Sequence, residues 1–280
     1  MAEHGLPALH ALFAWWISTG LIVYLDNLPR KTFRWSMVGA TVVLGLSFWA
    51  VRESAAHATV WGAYVAFTAG LLVWGWQEIS FYMGFVTGPR RHACEPGCGG
   101  WAHFRHALMA SLHHEIAIVL SGAVIAALTW DSPNRVALWT YATLAIMHES
   151  ARLNVFLGTP NVTEEFLPPH LAYLKSFIAK RDMNPLFPAS VTLGTCSAIV
   201  LGASAFAADA TPFEEAGYSL LGMLMIIALA EHWFLILPLN FGALWAWSLK
   251  KSGRAKNAPA QPVETRDVVS GLPAENGMCA

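Results

Sequence analysis

The sequence predicts an all-α fold: a polytopic membrane helix bundle of about seven transmembrane helices, with the N-terminus outside and the C-terminus cytoplasmic. Three observations predict it. Of the 280 residues, 55% are hydrophobic and only 12% are charged, against about 25% charged in a soluble protein, so too few charges remain to cover a water-facing surface. Apolar stretches of about 20 residues, the length that crosses a hydrocarbon layer, recur along the chain. Lys and Arg fall mostly in alternate connections between those stretches, as they do when cytoplasmic loops hold the positive charge. The helical reading also follows from hydrogen bonding. Backbone in lipid must satisfy itself, and the alternation of about ten residues that marks barrel strands is missing from the sequence.

In order, the apolar stretches run 7–25, 33–51, 58–87, 102–130, 134–157, 187–208 and 216–249. The first lacks the basic segment of a secretory signal and is expected to stay as a membrane anchor. Arg30, Lys31 and Arg34 lie at the start of the second stretch, and Arg90, Arg91 and Arg105 around the junction of the third and fourth. Arg152 lies near the end of the fifth, Lys175, Lys180 and Arg181 follow it, and Lys250, Lys251, Arg254, Lys256 and Arg266 come after the seventh. These connections are assigned to the cytoplasm. Only Arg52 and Arg135 fall on the opposite side, with Asp209, Glu214 and Glu215. Trp35, Trp101, Trp245 and Trp247 would mark the inner interface, and Trp49, Trp61, Trp130 and Trp139 the outer one.

Residues 1–250 thus form the bundle, and 251–280, rich in Ala, Pro, Gly and charge, are expected to be a disordered cytoplasmic tail. Between the fifth and sixth stretches, residues 158–186 are rich in Pro. There Leu171, Leu174, Phe177 and Ile178 have the spacing of a short amphipathic helix on the cytoplasmic surface. The sequon at Asn161, Val162 and Thr163 falls on that same side and is read as accidental. A net charge of −1 leaves no electrostatic footprint for nucleic acid.

Ionisable side chains inside a bilayer are costly and mark functional sites by default. Glu78 lies in the third stretch, His103, His106, His113, His114 and Glu115 in the fourth, His148, Glu149 and Arg152 in the fifth, and Glu231 and His232 in the seventh. A rise of about 1.5 Å per residue puts Glu78, His114, His148 and Glu231 about 15–21 Å from the inner interface, near the middle of the layer. The four histidines of the fourth stretch share an arc of roughly 100°, from which Glu115 departs. The candidate metal ligands are therefore Glu78, His106, His113, His114, Glu115, His148, Glu149, Glu231 and His232. Carboxylates and imidazoles from four helices are the ligand set of bundle-core di-iron and di-manganese sites, although the usual i, i+3 Glu and His motif is replaced here by adjacent His-Glu and Glu-His pairs. Buried imidazoles can also hold a haem or a bacteriochlorophyll, or carry protons. The structural alternative is an interhelical hydrogen-bond network at roughly 0.6–2 kcal/mol per bond. It suits single residues such as His10, His103 and Tyr141 better than the set.

Two further signals stand apart. His92, Cys94 and Cys98 could bind a metal on the cytoplasmic side, but no second Cys pair follows them. Pro238 is expected to kink the seventh helix beyond Glu231.

The segment MHESARLNVFLGTPNVTEEFLPPHLAYLKSF, together with QEISFYMGFVTGPRR and the HHE stretch, resembles the PuhE-like family of phototrophic bacteria, also called photosynthetic complex assembly protein 2. The similarity covers about residues 5–250. The resemblance implies a multi-span protein of the intracytoplasmic photosynthetic membrane, linked to reaction-centre assembly and bacteriochlorophyll levels. Its implied partners are lipid, reaction-centre or light-harvesting subunits, and bacteriochlorophyll itself. It supplies no catalytic residue. Three functions compete: an assembly factor that holds pigment or a subunit, a membrane di-metal oxidase or hydroxylase acting on a tetrapyrrole or other lipid-soluble substrate, and a proton-coupled transporter. The last lacks the paired broken helices and inverted halves of its class.

Overall fold

The computed structural model of the chain describes residues 2–161 and 167–238. Among the described residues the regular structure is helical throughout. The long helices are α1 (Ala2–Asp26), α2 (Phe33–Ala55), α3 (Val60–Tyr82), α4 (Gly100–Leu128), α5 (Val136–Leu157), α6 (Leu186–Ala205) and α7 (Pro212–Phe234). Short 3-10 segments cover Arg30–Thr32 and Pro169–Phe177. Trp245, Trp247, the tail 251–280 and Val162 and Thr163 of the sequon lie outside the described residues.

Five helices, α1, α2, α4, α6 and α7, are long and apolar enough to cross a membrane. They also carry large apolar side chains on their outer faces. Leu6, Leu9, Phe13, Ile17 and Leu21 form such a stripe on α1, and Val38, Val42, Leu46 and Trp49 another on α2. Unpartnered apolar faces on this scale are those of a membrane protein. Helices α3 and α5 are comparable in length, at 23 and 22 residues. Helix α3 packs against α1, α2, α4, α5 and α7, so it is lined mainly by protein. Small residues bring the backbones together: a Cβ on Gly70 of α3 would stand 2.8 Å from the Ala137 carbonyl oxygen of α5. The helices that carry the polar cluster are therefore neighbours. Helices α3, α5 and α7 pack pairwise, and α4 packs on α3 and α5.

Three boundaries differ from the sequence expectation. The third helix stops at Tyr82 rather than 87 because Gly84, at φ +81°, closes it. The Phe85 N–H donates to the Ser80 carbonyl at 2.9 Å and the Gly84 N–H to that of Phe81 at 2.8 Å, the paired bonds of a Schellman cap. Residues after the cap fold back along α4. There the His114 backbone N–H donates to the Thr87 carbonyl at 3.0 Å, and a Cβ on Gly88 would stand 2.6 Å from the Ala110 carbonyl carbon. The second difference is Pro238, which follows the end of α7 at Phe234 and so cannot kink it. Third, Pro169–Phe177 is a 3-10 segment instead of an amphipathic α-helix, and it buries Leu171 and Phe177 against the bundle.

Candidate functional site

A cavity of about 470 Å³ opens between α1, α3, α5 and α7. Its walls are largely apolar, with Trp15, Leu71, Trp74, Leu144 and Met147 among them, and its polar lining includes Asp26, Glu78, His148 and Glu231. A pocket of this size and character, apolar with a few convergent polar groups, suits a small lipid-soluble ligand.

One wall of the cavity carries a compact group. His148 Nδ1 of α5 stands 3.5 Å from Glu78 Oε1 of α3. His114 of α4 lies behind them, its ring centroid 5.9 Å from that of His148 and 4.6 Å from that of Phe81. One ligand atom each from Glu78, His114 and His148 fall within 4.8 Å of one another. Only 1% of His114 is exposed, yet neither of its ring nitrogens has a hydrogen-bond partner. A buried polar atom left unsatisfied costs about 1–3 kcal/mol, so an ion or an ordered water is expected between these three residues. Two imidazoles and one carboxylate with open positions are the donor set of mononuclear non-haem iron sites, and the same set occurs with zinc.

The other sequence candidates divide among different tasks. Glu231 faces the cavity and lies outside the compact group. Glu115 and Glu149 are held by Arg152: its Nη1 donates to Glu115 Oε1 and, at 3.2 Å, to Glu149 Oε1, while its Nη2 donates to Ser111 Oγ at 2.7 Å. This pairing engages both carboxylates and sets them apart from the compact group. His232 lines the cavity, but both its nitrogens are engaged, Nδ1 with the Ala228 carbonyl and Nε2 with Ser150 Oγ, each at 2.9 Å. It is a packing residue. His113 is exposed on the outer face of α4. His106 sits about two turns nearer the helix start, beside Cys94 and Cys98. Of the nine candidates, three form the triad, Glu115 and Glu149 join the ion-pair cluster and His106 the thiol-imidazole cluster, while His113, Glu231 and His232 stand apart. His10 bonds Thr68 Oγ1 at 2.9 Å and Tyr141 donates to the Ile118 carbonyl at 3.0 Å, which are structural roles.

Sequence reasoning missed Asp26. It ends α1 in LDNLP, which reads as an ordinary interfacial terminus, but α1 packs on α3 and α7 and brings it to the cavity, where its Oδ1 is buried without a partner. His170 was also missed. Its Nε2–H donates to the Tyr82 carbonyl at 2.8 Å, fixing the 3-10 segment to the end of α3. Burial holds this imidazole below its ordinary pKa of 6.5, against the opposing pull of that hydrogen bond.

No solved structure is similar to this chain. A curated relative from Rhodobacter capsulatus, described as an uncharacterized 30.4 kDa protein in the puhA 5' region, is 38% identical over 266 residues, covering 93% of this chain and 96% of the relative. A family model described as a protein of unknown function, DUF3623, matches residues 1–256. The chain belongs to the DUF3623 family.

Proposed function

We propose that the protein is an assembly factor of the bacterial photosynthetic membrane, with seven spans and a cytoplasmic C-terminus. It serves reaction-centre assembly and bacteriochlorophyll supply through a metal held by Glu78, His114 and His148 at the wall of the intramembrane cavity. The observation that carries the site is the fully buried His114 with both ring nitrogens unpartnered, within 4.8 Å reach of a carboxylate and a second imidazole. The resemblance to the PuhE-like family supports the setting. So does the relative's position in the puhA 5' region, which points to a photosynthesis-related gene cluster. In this reading the apolar cavity receives a tetrapyrrole or another lipid-soluble molecule, and Asp26 and Glu231 meet its polar edge.

A second reading rests on the same triad. Three protein ligands leave coordination positions open, which suits a mononuclear iron oxidase or hydroxylase better than the di-metal centre expected from the sequence. Purification in detergent, metal analysis and a visible spectrum test both readings. About one triad-dependent metal ion per chain is expected, lost in Glu78→Gln with His148→Ala while the helical content is kept. That double variant is also expected to leave pigment and reaction-centre levels as low as in a strain lacking the gene. Folded wild-type protein with neither triad-dependent metal nor pigment would sink the site. Full complementation by the variant would remove it from the function.

A further inference from the structure

The loop between α3 and α4 brings two thiols onto the first turns of α4. Cys94 Sγ and Cys98 Sγ each lie 3.3 Å from His106 Nδ1, and His103 Nδ1 lies 3.4 Å from Cys94 Sγ. A tetrahedral zinc ion with bonds of about 2.3 Å to sulfur and about 2.0–2.1 Å to nitrogen sets neighbouring ligand atoms about 3.5 Å apart. The ligand atoms of Cys94, Cys98 and His106 all lie within 4.8 Å of one another, and His103 stands outside that group, reaching it through Cys94. The local sequence explains how the cluster forms. Glu95, Pro96, Gly97 and Cys98 make a turn in which Pro fixes the first corner and Gly97, at φ +85°, takes the second, closed by the Cys98 N–H on the Glu95 carbonyl at 3.1 Å. Both thiols then lie on one side of the loop. His103 and His106, at i and i+3, share one face of α4. The Cys spacing falls in the usual zinc range, and the His spacing is one residue short of it, which the helix makes up by presenting both rings together.

The position is outside the hydrocarbon layer in a membrane-spanning arrangement. Helix α4 has 29 residues, about 43 Å of length against a layer of about 30 Å. With its far end at exposed Trp130, its first two or more turns project beyond the hydrocarbon layer. Two other segments meet there. The Cys94 N–H donates to Ser176 Oγ at 2.9 Å, and the His103 ring packs on Phe156 of α5 and Phe177 of the 3-10 segment, at 5.4 and 5.3 Å between centroids.

We propose that Cys94, Cys98, His106 and His103 hold a structural zinc ion that fastens the α3–α4 loop and the 3-10 segment to the head of α4. The site is separate from the triad at Glu78, His114 and His148 and stands or falls independently of it. His92, the histidine first associated with these cysteines, is exposed, hydrogen-bonds the Ala93 carbonyl and lies outside the group of gathered ligand atoms.

The test uses the full chain in detergent, purified under reducing conditions. Wild type and Glu78→Gln/His148→Ala are expected to carry about one zinc per chain at this site that Cys94→Ser/Cys98→Ser lacks. Cobalt added to chelator-stripped wild type is expected to give a thiolate-to-cobalt charge-transfer band, which needs no variant to fold. Chelation is expected to speed tryptic cleavage after Arg90 and Arg91, and zinc to reverse the effect. Equal zinc in wild type and the Cys double variant, a Cys94–Cys98 disulfide in the protein as isolated, or cobalt binding without a charge-transfer band would each overturn the proposal.

Discussion

At the scale of single residues, Arg152 decides which carboxylates remain available. It takes Glu115 from α4 and Glu149 from its own helix and leaves Glu78 to the triad. Removing one partner of a buried ion pair costs about 3–5 kcal/mol because the other charge is stranded. About a third of the Arg152 side chain is exposed, so screening brings Arg152→Gln below that range. Thermal unfolding in detergent is expected to show a clear loss in Arg152→Gln, partly restored by adding Glu115→Gln, which removes the stranded charge. Equal stability of Arg152→Gln and wild type would mean that the pair contributes nothing. Residue types were legible in the sequence: Glu78, His114 and His148 stood out as ionisable groups in apolar stretches. Their sorting was not. Whether a glutamate ligates a metal or pairs with an arginine depends on which side chain from another helix reaches it, and adjacent Glu-His pairs give no periodicity that could separate the two. His106 shows the same limit, since a shared helical stripe put it with His113 and His114 although the helix carries it some 12 Å away along the axis.

At the scale of elements, the bundle depends on how closely α3 approaches α5. The helices themselves were legible from apolar length. Their ends were less so, because caps depend on single residues: Gly84 ends α3 early, and Thr211 with Glu214 starts α7 by a reciprocal capping box. Close approach was not legible, since a glycine on an apolar helix reads the same whether it faces lipid or a backbone. Gly70 and Gly45 make the contrast. A Cβ on Gly70 meets the Ala137 carbonyl oxygen at 2.8 Å and Thr140 Cβ at 3.2 Å, whereas one on Gly45 meets nothing within 4 Å. Gly70→Ala is therefore expected to destabilise the protein by about 1–3 kcal/mol, the usual cost of overpacking, and to disturb the His148 side of the triad through α5. Gly45→Ala is expected to be neutral or slightly stabilising, because Ala is the better helix former. Equal unfolding temperatures for the two variants would show that α3 and α5 can part without cost.

At the scale of the whole molecule, charge, Trp placement and the two clusters give one directional picture. Exposed Trp49, Trp61, Trp130 and Trp139 lie towards one end of their helices, and exposed Trp35 and Trp101 towards the other, as aromatic belts require. Most loop arginines and lysines fall at the second end, which the positive-inside rule assigns to the cytoplasm. That is also the end of Cys94 and Cys98, and in the proposed orientation reducing conditions would keep these thiols free for a metal. Cys196 differs from them: it is exposed near the middle of α6, the helix that packs mainly on α7 at the edge of the bundle, so in a bilayer it faces lipid. The cysteines can therefore report orientation. With Cys279 replaced by Ser and zinc removed, a membrane-impermeant maleimide is expected to label Cys94 and Cys98 in inside-out vesicles and leave them untouched in right-side-out spheroplasts. Cys196 is expected to resist it in both and to react only after detergent. Labelling of Cys94 and Cys98 from the periplasmic side would invert the bundle. The 3-10 segment and any zinc-fastened loop would then face away from the cytoplasm.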